Sequence, residues 1–382
     1  MRNIRIAFTG GGSGGHINPL LAVAGEARKI ISYQKDNTFE LFYFGDPGIF
    51  RADFVSLGIK IMPIIGFKIR RYFSLENIID IIKFPFSVLQ ALWKIFRVMP
   101  DVIFSKGGTG ALSVVIACYI FNVPIFVHES DSIPGATNSL SFKMARRIAL
   151  SFSKSLDFIS GPRVAVVGNP VRSLFLEEDK DLDPKKAKRM FGFESDLPLI
   201  LILGGSQGAV RINDFLLDNI KELVSKYQVL HQVGMENFAS FKAEIAVATK
   251  NLIPEEKARY KIVDFLKKDI KEAMIASDLI ISRSGSSSIF EIAMVRKPSI
   301  LIPLKESARN HQSYNAYEYA KTGAALVIEE DNLKPSLFFI QMDMILLNKQ
   351  KSQKMSEASE SFAKPQAALV IAQELVRLAV SK

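Results

Sequence analysis

Four short stretches of this 382-residue chain combine glycines with hydroxyls in a pattern that suits an anionic ligand. Residues 10–15 read GGGSGG, 107–110 GGTG, 204–208 GGSQG and 283–291 RSGSSSIFE. Glycine lets the backbone approach a phosphate closely, and a following helix supplies unpaired N–H groups and partial positive charge. The first stretch formally satisfies GxGxxG through Gly10, Gly12 and Gly15, a weak signal by itself. A dinucleotide enzyme also wants an acidic residue about 20 positions on, at the end of the second strand. Here that strand ends in Gly45 and Asp46, late and in a turn. No GxxxxGK[ST] occurs, so a P-loop is excluded. Three glycine turns spread over two halves point to an anionic ligand clasped across a cleft. In the fourth stretch Glu291 follows Ser288 by three residues. It reads equally well as a carboxylate for ribose hydroxyls and as a capping-box partner.

The elements that must position these loops alternate along the chain. Strand-like runs at 4–9, 39–44, 101–105 and 124–128 are interleaved with helical runs such as 19–30 and 111–120. The rhythm restarts with strand-like runs at 199–203, 229–233, 261–265, 279–282, 299–303 and 325–328, and a helix from about 210. IRIAFTGGGSGG opens the first half and PLILILGGSQG the second. Apolar, β-branched strands alternating with helices imply parallel sheets covered on both faces. The fold class is α/β: two doubly wound, Rossmann-like domains with their parallel sheets facing across a cleft. Ligands then gather at the carboxyl ends of the strands. Residues 177–189, charged and containing Pro184, read as a linker or an exposed helix.

Composition narrows the class. A single cysteine, Cys118, excludes a disulfide framework and a cysteine-based zinc site. The histidines His16, His128, His231 and His311 form no metal-binding doublet. The formal charge is +10, of which residues 1–168 carry +8. A basic half beside a neutral one suggests that it faces nucleic acid, phospholipid or a phosphorylated substrate. Residues 64–99 are apolar and aromatic but carry Lys68, Arg70, Arg71, Lys83, Lys94, Arg97 and Pro85, so no uninterrupted spanning segment exists. They read as basic amphipathic helices, fit either for an anionic bilayer surface or for a core with snorkelling lysines. No signal peptide is evident, and the cytoplasm is the expected compartment.

The four loops, together with HESDSIPG at 128–135, GNPVR at 168–172 and NHQ at 310–312, resemble one family closely. It is the bacterial undecaprenyldiphospho-muramoylpentapeptide β-N-acetylglucosaminyltransferases, GT-B enzymes that make lipid II. The resemblance runs in order from about Ile4 to Glu329, and its specificity lies in the whole set. It implies inverting transfer of GlcNAc from UDP-GlcNAc to the MurNAc C4 hydroxyl of lipid I, for cell-wall biogenesis, cell shape and division. No cofactor and no metal are implied. The partners implied are UDP-GlcNAc, the polyprenyl-diphosphate-linked muramoyl-pentapeptide and an anionic membrane surface, with no nucleic acid. The location implied is peripheral, on the cytoplasmic face of the inner membrane. The expected division is residues 1–168 for acceptor and membrane and 169–364 for UDP-GlcNAc. A C-terminal helix at about 365–382 is expected to pack back on the first domain.

By the same resemblance, Ser206 and Ser286, Ser287 and Ser288 meet the donor diphosphate, with Ile289 and Phe290 beside them, and Glu291 holds the ribose. The uracil rests near Phe265 and Leu266, where one extra residue blurs the register. His311 and Gln312 read the GlcNAc hydroxyls, and Arg172 neutralises phosphate charge. Ser13, Gly14 and Gly15 face the reacting sugar. Gly14, Gly15, His16, Gly107 and Gly108 face the acceptor diphosphate. The family's HEQN is His128-Glu129-Ser130-Asp131 here, so Asp131 keeps an acceptor, gains a charge and loses the amide donors. The family's first paired glutamine is His311. The chemistry needs a base for the attacking hydroxyl, for which His16 is the first candidate by its ordinary pKa, with Glu129 and Asp131 competing. The leaving diphosphate needs stabilisation, which helix N-termini and Arg172 supply. The literal DxD, Asp181-Leu182-Asp183, reads as solvated surface. Alternatives are another GT-B protein, either a glycolipid glycosyltransferase or a UDP-GlcNAc epimerase, and a non-catalytic nucleotide-sugar-binding protein at a membrane.

Overall fold

The computed structural model describes residues 2–11, 14–34, 37–66, 75–108, 110–177, 182–205 and 208–381, without the side chains of 75–82 and 308. The chain divides into two compact units, Met1–Ser173 with Lys364–Lys382, and Leu174–Ala363.

The first unit holds a seven-stranded sheet: β1 (Arg2–Thr9), β2 (Asn37–Phe44), β3 (Ile59–Met62), β4 (Val102–Ser105), β5 (Ile125–Glu129), β6 (Arg147–Leu150) and β7 (Val164–Val166). Their order is β3-β2-β1-β4-β5-β6-β7, with every pair parallel. Alternate side chains face opposite cores. Ile4, Ile6 and Phe8 pack with the helices Gly14–Ser32 and Ala367–Val380. Ala7, Phe42 and Phe44 pack on the other face with Leu75–Val98 and Ala111–Ile120. The C-terminal helix is thus part of this unit, tied also by Glu374 to Arg147 at 2.7 Å. The unit runs to Ser173 rather than 168 because Asn169 is fully buried and its Oδ1 accepts from Lys106 at 3.0 Å.

The second unit holds a six-stranded parallel sheet: β8 (Leu199–Leu203), β9 (Gln228–Gln232), β10 (Tyr260–Val263), β11 (Leu279–Ser282), β12 (Ser299–Leu301) and β13 (Ala325–Val327). The order is β10-β9-β8-β11-β12-β13, with all pairs parallel. The charged stretch near Pro184 is a helix, Pro184–Met190, capped by Asp183, whose side chain accepts from the Lys186 N–H at 2.8 Å. Asp181 lies outside the described residues.

In both sheets the strand order reverses beside the first strand, between β1 and β4 and between β8 and β11. The loops leaving those four strands begin at residues 10, 106, 204 and 283. The glycine stretches therefore occupy the carboxyl ends at the two switch points, where open α/β sheets leave room for ligands.

Candidate functional site

In the first unit the two glycine loops touch. The Lys106 N–H donates to the Thr9 carbonyl at 2.9 Å, and the Tyr43 hydroxyl to the Gly10 carbonyl at 2.5 Å. Gly108, at φ +87°, sits so close to Gly11 that a Cβ would lie 2.6 Å from its carbonyl oxygen. At Gly107, φ +76°, a Cβ would lie 2.4 Å from Asn138 Oδ1. Neither position accepts a side chain, so both glycines are required by shape before any ligand is considered. His16 is the third residue of Gly14–Ser32 and is half-buried, as is Gly14, while Gly15 is exposed. Ser13 and Gly12 lie outside the described residues.

The segment after β5 carries the remaining groups. The buried Glu129 carboxylate accepts from the Asp131 N–H at 3.0 Å, the Gly135 N–H at 3.0 Å and Asn138 Nδ2 at 2.9 Å. Burial, and then the charge of Asp131, raise its pKa, although the hydrogen bonds pull the other way. Those partners make Glu129 the anchor of the turn, with its oxygens turned inward. Asp131 is half-buried at the turn itself, and its carbonyl accepts from the Ser155 hydroxyl at 3.0 Å. His128 is fully buried, with Nε2 at 3.0 Å from the Gly168 carbonyl and Nδ1 at 2.6 Å from Lys106 Nζ. Since a carbonyl only accepts, Nε2 carries the proton and Nδ1 receives from the lysine. Burial first, and then the Lys106 charge, hold His128 well below the usual histidine range. Arg172 is half-buried and belongs to this unit.

In the second unit the helix Ser286–Met294 begins directly after β11, with Gly285 at its N-cap in an extended conformation. The capping-box reading needs Ser288 at the N-cap and therefore fails. Ser286 and Glu291 are buried, and Ser287 and Ser288 are half-buried at the helix head. Ile289 and Phe290 face the core, and the Phe290 ring packs tilted against Phe362 with centroids 4.9 Å apart. The Ile289 N–H already donates to the Gly285 carbonyl at 3.1 Å. Gln312 opens the helix His311–Ala320; its Oε1 accepts from the Leu304 N–H at 3.0 Å and its carbonyl from the Ser284 hydroxyl at 2.8 Å. With the amide oxygen so fixed, the NH₂ end is the one left for a ligand. His311 is half-buried beside it. Ser206 and Gln207 lie outside the described residues. The loop that holds them is closed by Gly208, φ +80°, where a Cβ would meet the Val233 carbonyl at 2.3 Å.

Two residues that sequence reasoning did not single out, Gln232 and Glu330, organise this half. Gln232, at the end of β9, donates from Nε2 to the Gly205 carbonyl at 2.9 Å and accepts at Oε1 from the Leu266 N–H at 2.9 Å. It thereby joins the glycine loop to the segment holding Phe265 and Leu266. Glu330, with a buried carboxylate, binds Arg283 at 2.5 Å and Arg211 at 2.6 Å. Arg283 also donates to the Ile302 and Pro303 carbonyls at 3.2 and 3.3 Å. This fork ties the end of β11 to the end of β12, and a buried pair of this kind had no signal in spacing. His231 is fully buried between Tyr260 Oη at 2.8 Å and Asn213 Oδ1 at 3.1 Å, and burial lowers its pKa to about 3. It is structural. Among the described residues no three His, Cys, Asp or Glu side chains gather as a metal site.

Comparison with known proteins accounts for both halves. Residues 6–150 match the glycosyltransferase family 28 N-terminal domain and residues 199–371 its C-terminal domain. A curated Clostridium botulinum (strain Hall) protein is 34% identical over 347 residues, 90% of this chain and 92% of that one. Its name is UDP-N-acetylglucosamine--N-acetylmuramyl-(pentapeptide) pyrophosphoryl-undecaprenol N-acetylglucosamine transferase. Among solved structures, Acinetobacter baumannii MurG superposes with a TM-score of 0.72 at 22% identity, covering 98% of this chain and 99% of that one. A Neisseria meningitidis UDP-GlcNAc 2-epimerase bound to UDP-GlcNAc gives 0.67 at 13% identity, covering 99% and 100%. At those identities the two structures attest the fold, which is GT-B.

Proposed function

The chain belongs to glycosyltransferase family 28, and from that premise we propose that it transfers GlcNAc from UDP-GlcNAc to the C4 hydroxyl of MurNAc in lipid I, forming lipid II. The observation that carries the proposal is the placement of paired glycine loops at both switch points, one pair in each unit. Each pair suits one diphosphate, and this reaction has two: one in the donor and one in the acceptor.

The second unit takes the donor. The head of Ser286–Met294, with the hydroxyls of Ser286, Ser287 and Ser288, receives the diphosphate, and Ser206 joins them. Glu291 accepts from the ribose hydroxyls. The uracil lies along Phe265 and Leu266, where the Leu266 N–H is already held by Gln232, so its carbonyl is the group offered. The amide donors of Gln312, with His311, meet the GlcNAc hydroxyls. Ile289 and Phe290 serve by packing.

The first unit takes the acceptor. Gly14, Gly15, Gly107 and Gly108 present backbone to its diphosphate, with His16 at the helix head, and Ser13 joins them. As the MurNAc hydroxyl attacks the anomeric carbon from the face opposite UDP, its proton passes to a base, the configuration inverts and the bond to UDP breaks. His16 and Asp131 are the candidates. Glu129 competes with them, although three donors engage its oxygens and hold it to the turn. Fixed N–H dipoles and Arg172 stabilise the leaving diphosphate without a metal.

The acceptor is lipid-linked, so this unit docks on the cytoplasmic face of the inner membrane. Among the described residues no helix is long and apolar enough to cross a membrane. Leu75–Val98 instead exposes Phe86, Leu89, Trp93 and Phe96 along one face, flanked by Lys83 and Arg97. Lys68, Arg70 and Arg71 lie outside the described residues.

The test is incubation with labelled UDP-GlcNAc and vesicle-embedded lipid I in the presence of EDTA. Label entering the lipid phase supports the proposal. Label released as free sugar marks an epimerase, and activity only on restoring Mg²⁺ or Mn²⁺ revives a metal-dependent transfer.

A further inference from the structure

Beneath the acceptor-side loops lies a lysine that the scheme above does not use. Lys106 follows β4 and has none of its surface exposed. Its Nζ meets His128 Nδ1 at 2.6 Å, Asn169 Oδ1 at 3.0 Å and Ser130 Oγ. Three acceptors saturate the three protons of an ammonium, and the proton on His128 Nε2 leaves Nδ1 able only to receive. A cation removed from water persists where an opposite charge faces it. The charges of Glu129 and Asp131 do so, opposing the burial that lowers Lys106 to about 7. His16 is a further titratable neighbour, whose charge acts on His128 from the helix head. Asp131 therefore brings a charge to the turn, and Lys106 answers it from below.

We propose that Lys106 is a positioning residue for the acceptor: its buried ammonium, bonded to Ser130 between Glu129 and Asp131, holds this turn in the form that presents Asp131 to the lipid-linked substrate. The inference deepens the functional reading above and rests on it. Loss of the proton turns Ser130 round, because an amine can take a hydrogen bond from the hydroxyl that formerly received one. It also removes the positive charge that Glu129 and Asp131 face. Acceptor use then falls as pH rises through the titration of Lys106, while the donor site, built in the other unit, is untouched.

The experiment compares wild type, Lys106→Met, Asp131→Asn and the double variant. Each is assayed with UDP-GlcNAc and a short-chain soluble lipid I analogue across pH, and each is titrated with UDP by calorimetry. Lys106→Met should lower kcat/KM for the acceptor roughly 30-fold or more, as breaking a buried charge pair does, with UDP affinity unchanged. In the Asp131→Asn background the same change should cost less than about 3-fold, because the partner charge is gone. The basic limb of the wild-type acceptor profile should vanish in the double variant. Equal losses in the two backgrounds, or a Lys106→Met enzyme with wild-type kinetics and profile, would overturn the inference. Should Lys106→Met fail to bind UDP through misfolding, the double variant is set against Asp131→Asn. If that too misfolds, the wild-type profile decides, and the lack of a basic limb there sinks the idea. A wild type that binds UDP yet never glycosylates the analogue overturns the functional reading and this inference with it.

Discussion

At the residue scale the proposed donor site turns on Glu291. Its carboxylate is buried on the helix behind the hydroxyls, and the cap reading that competed with ribose binding is removed by Gly285 at the N-cap. Glu291→Ala should weaken UDP by about 1.5–3 kcal/mol for each charge-assisted hydrogen bond lost, leaving acceptor affinity intact. Calorimetry on the folded variant checks this, and unchanged affinity would return Glu291 to a structural role. His231 yields the pH prediction. Its folded pKa, lowered by burial to about 3, lies below the unfolded value of about 6.5. The unfolded chain thus binds the extra proton first as pH falls. The stabilisation held by neutral His231 is complete above about pH 6.5 and is lost progressively toward pH 3, on the order of 4 kcal/mol in all. Denaturant midpoints measured from pH 7 to pH 4 should fall more steeply for wild type than for His231→Gln. Parallel curves would mean that other groups govern the acid limb.

At the element scale ten of the thirteen strands among the described residues were legible as apolar runs, several of them buried along their whole length. β4, β5, β8 and β11 are short, mostly apolar runs buried throughout, and that burial makes the pattern necessary. β3, β6 and β7 escaped notice because they are three or four residues long and the first two carry a charge in the run. Lys60 interrupts β3, Arg147 opens β6, and β7 is an edge strand with two exposed residues. The helix expected to start at Pro19 begins at Gly14, so a proline taken as a start signal sits inside it. Among candidate site residues, the glycines, Ser286 and Glu291 stood out by type, and Gln312 through the family resemblance. Lys106, Gln232 and Glu330 did not, because each acts through partners distant in sequence and adjacent only in the fold. Glu330 shows what such a partner does: it bonds two arginines and so fixes the ends of β11 and β12 beneath the proposed donor loops. Glu330→Ala leaves Arg283, with a side chain only 11% exposed, without its counter-charge. Removal of one partner of a buried pair costs about 3–5 kcal/mol. The variant should unfold at a clearly lower denaturant concentration and weaken UDP even where still folded. An unchanged midpoint would show that the fork is ornamental.

At the scale of the whole molecule, the excess charge and the exposed apolar face belong to the same unit. Residues 1–168 carry +8 of the +10. Leu75–Val98 buries Ala91, Ile95 and Val98 in the core while Phe86, Leu89, Trp93 and Phe96 stay about 60% exposed. The exposed four recur at steps of three and four, which places them on one side of a helix. Snorkelling lysines over a core would have buried these side chains, so the core reading fails for this face. Arg97 lies over the Trp93 ring at 5.4 Å, an aromatic body and a charged tip of the kind that suits a headgroup region. Each of the four, partly inserted, should contribute about 1 kcal/mol, and each nearby lysine or arginine about as much on an anionic surface. Changing all four to serine should therefore weaken binding to anionic vesicles by roughly a thousandfold. Because the side chains already face water, the fold should be unaffected. Turnover of vesicle-embedded lipid I should collapse, whereas a short-chain soluble acceptor, which asks nothing of the membrane, should be used at the wild-type rate. Vesicle flotation and the paired assays measure both outcomes. A quadruple variant that still floats, or one that loses both activities equally, would move the docking face elsewhere on the unit.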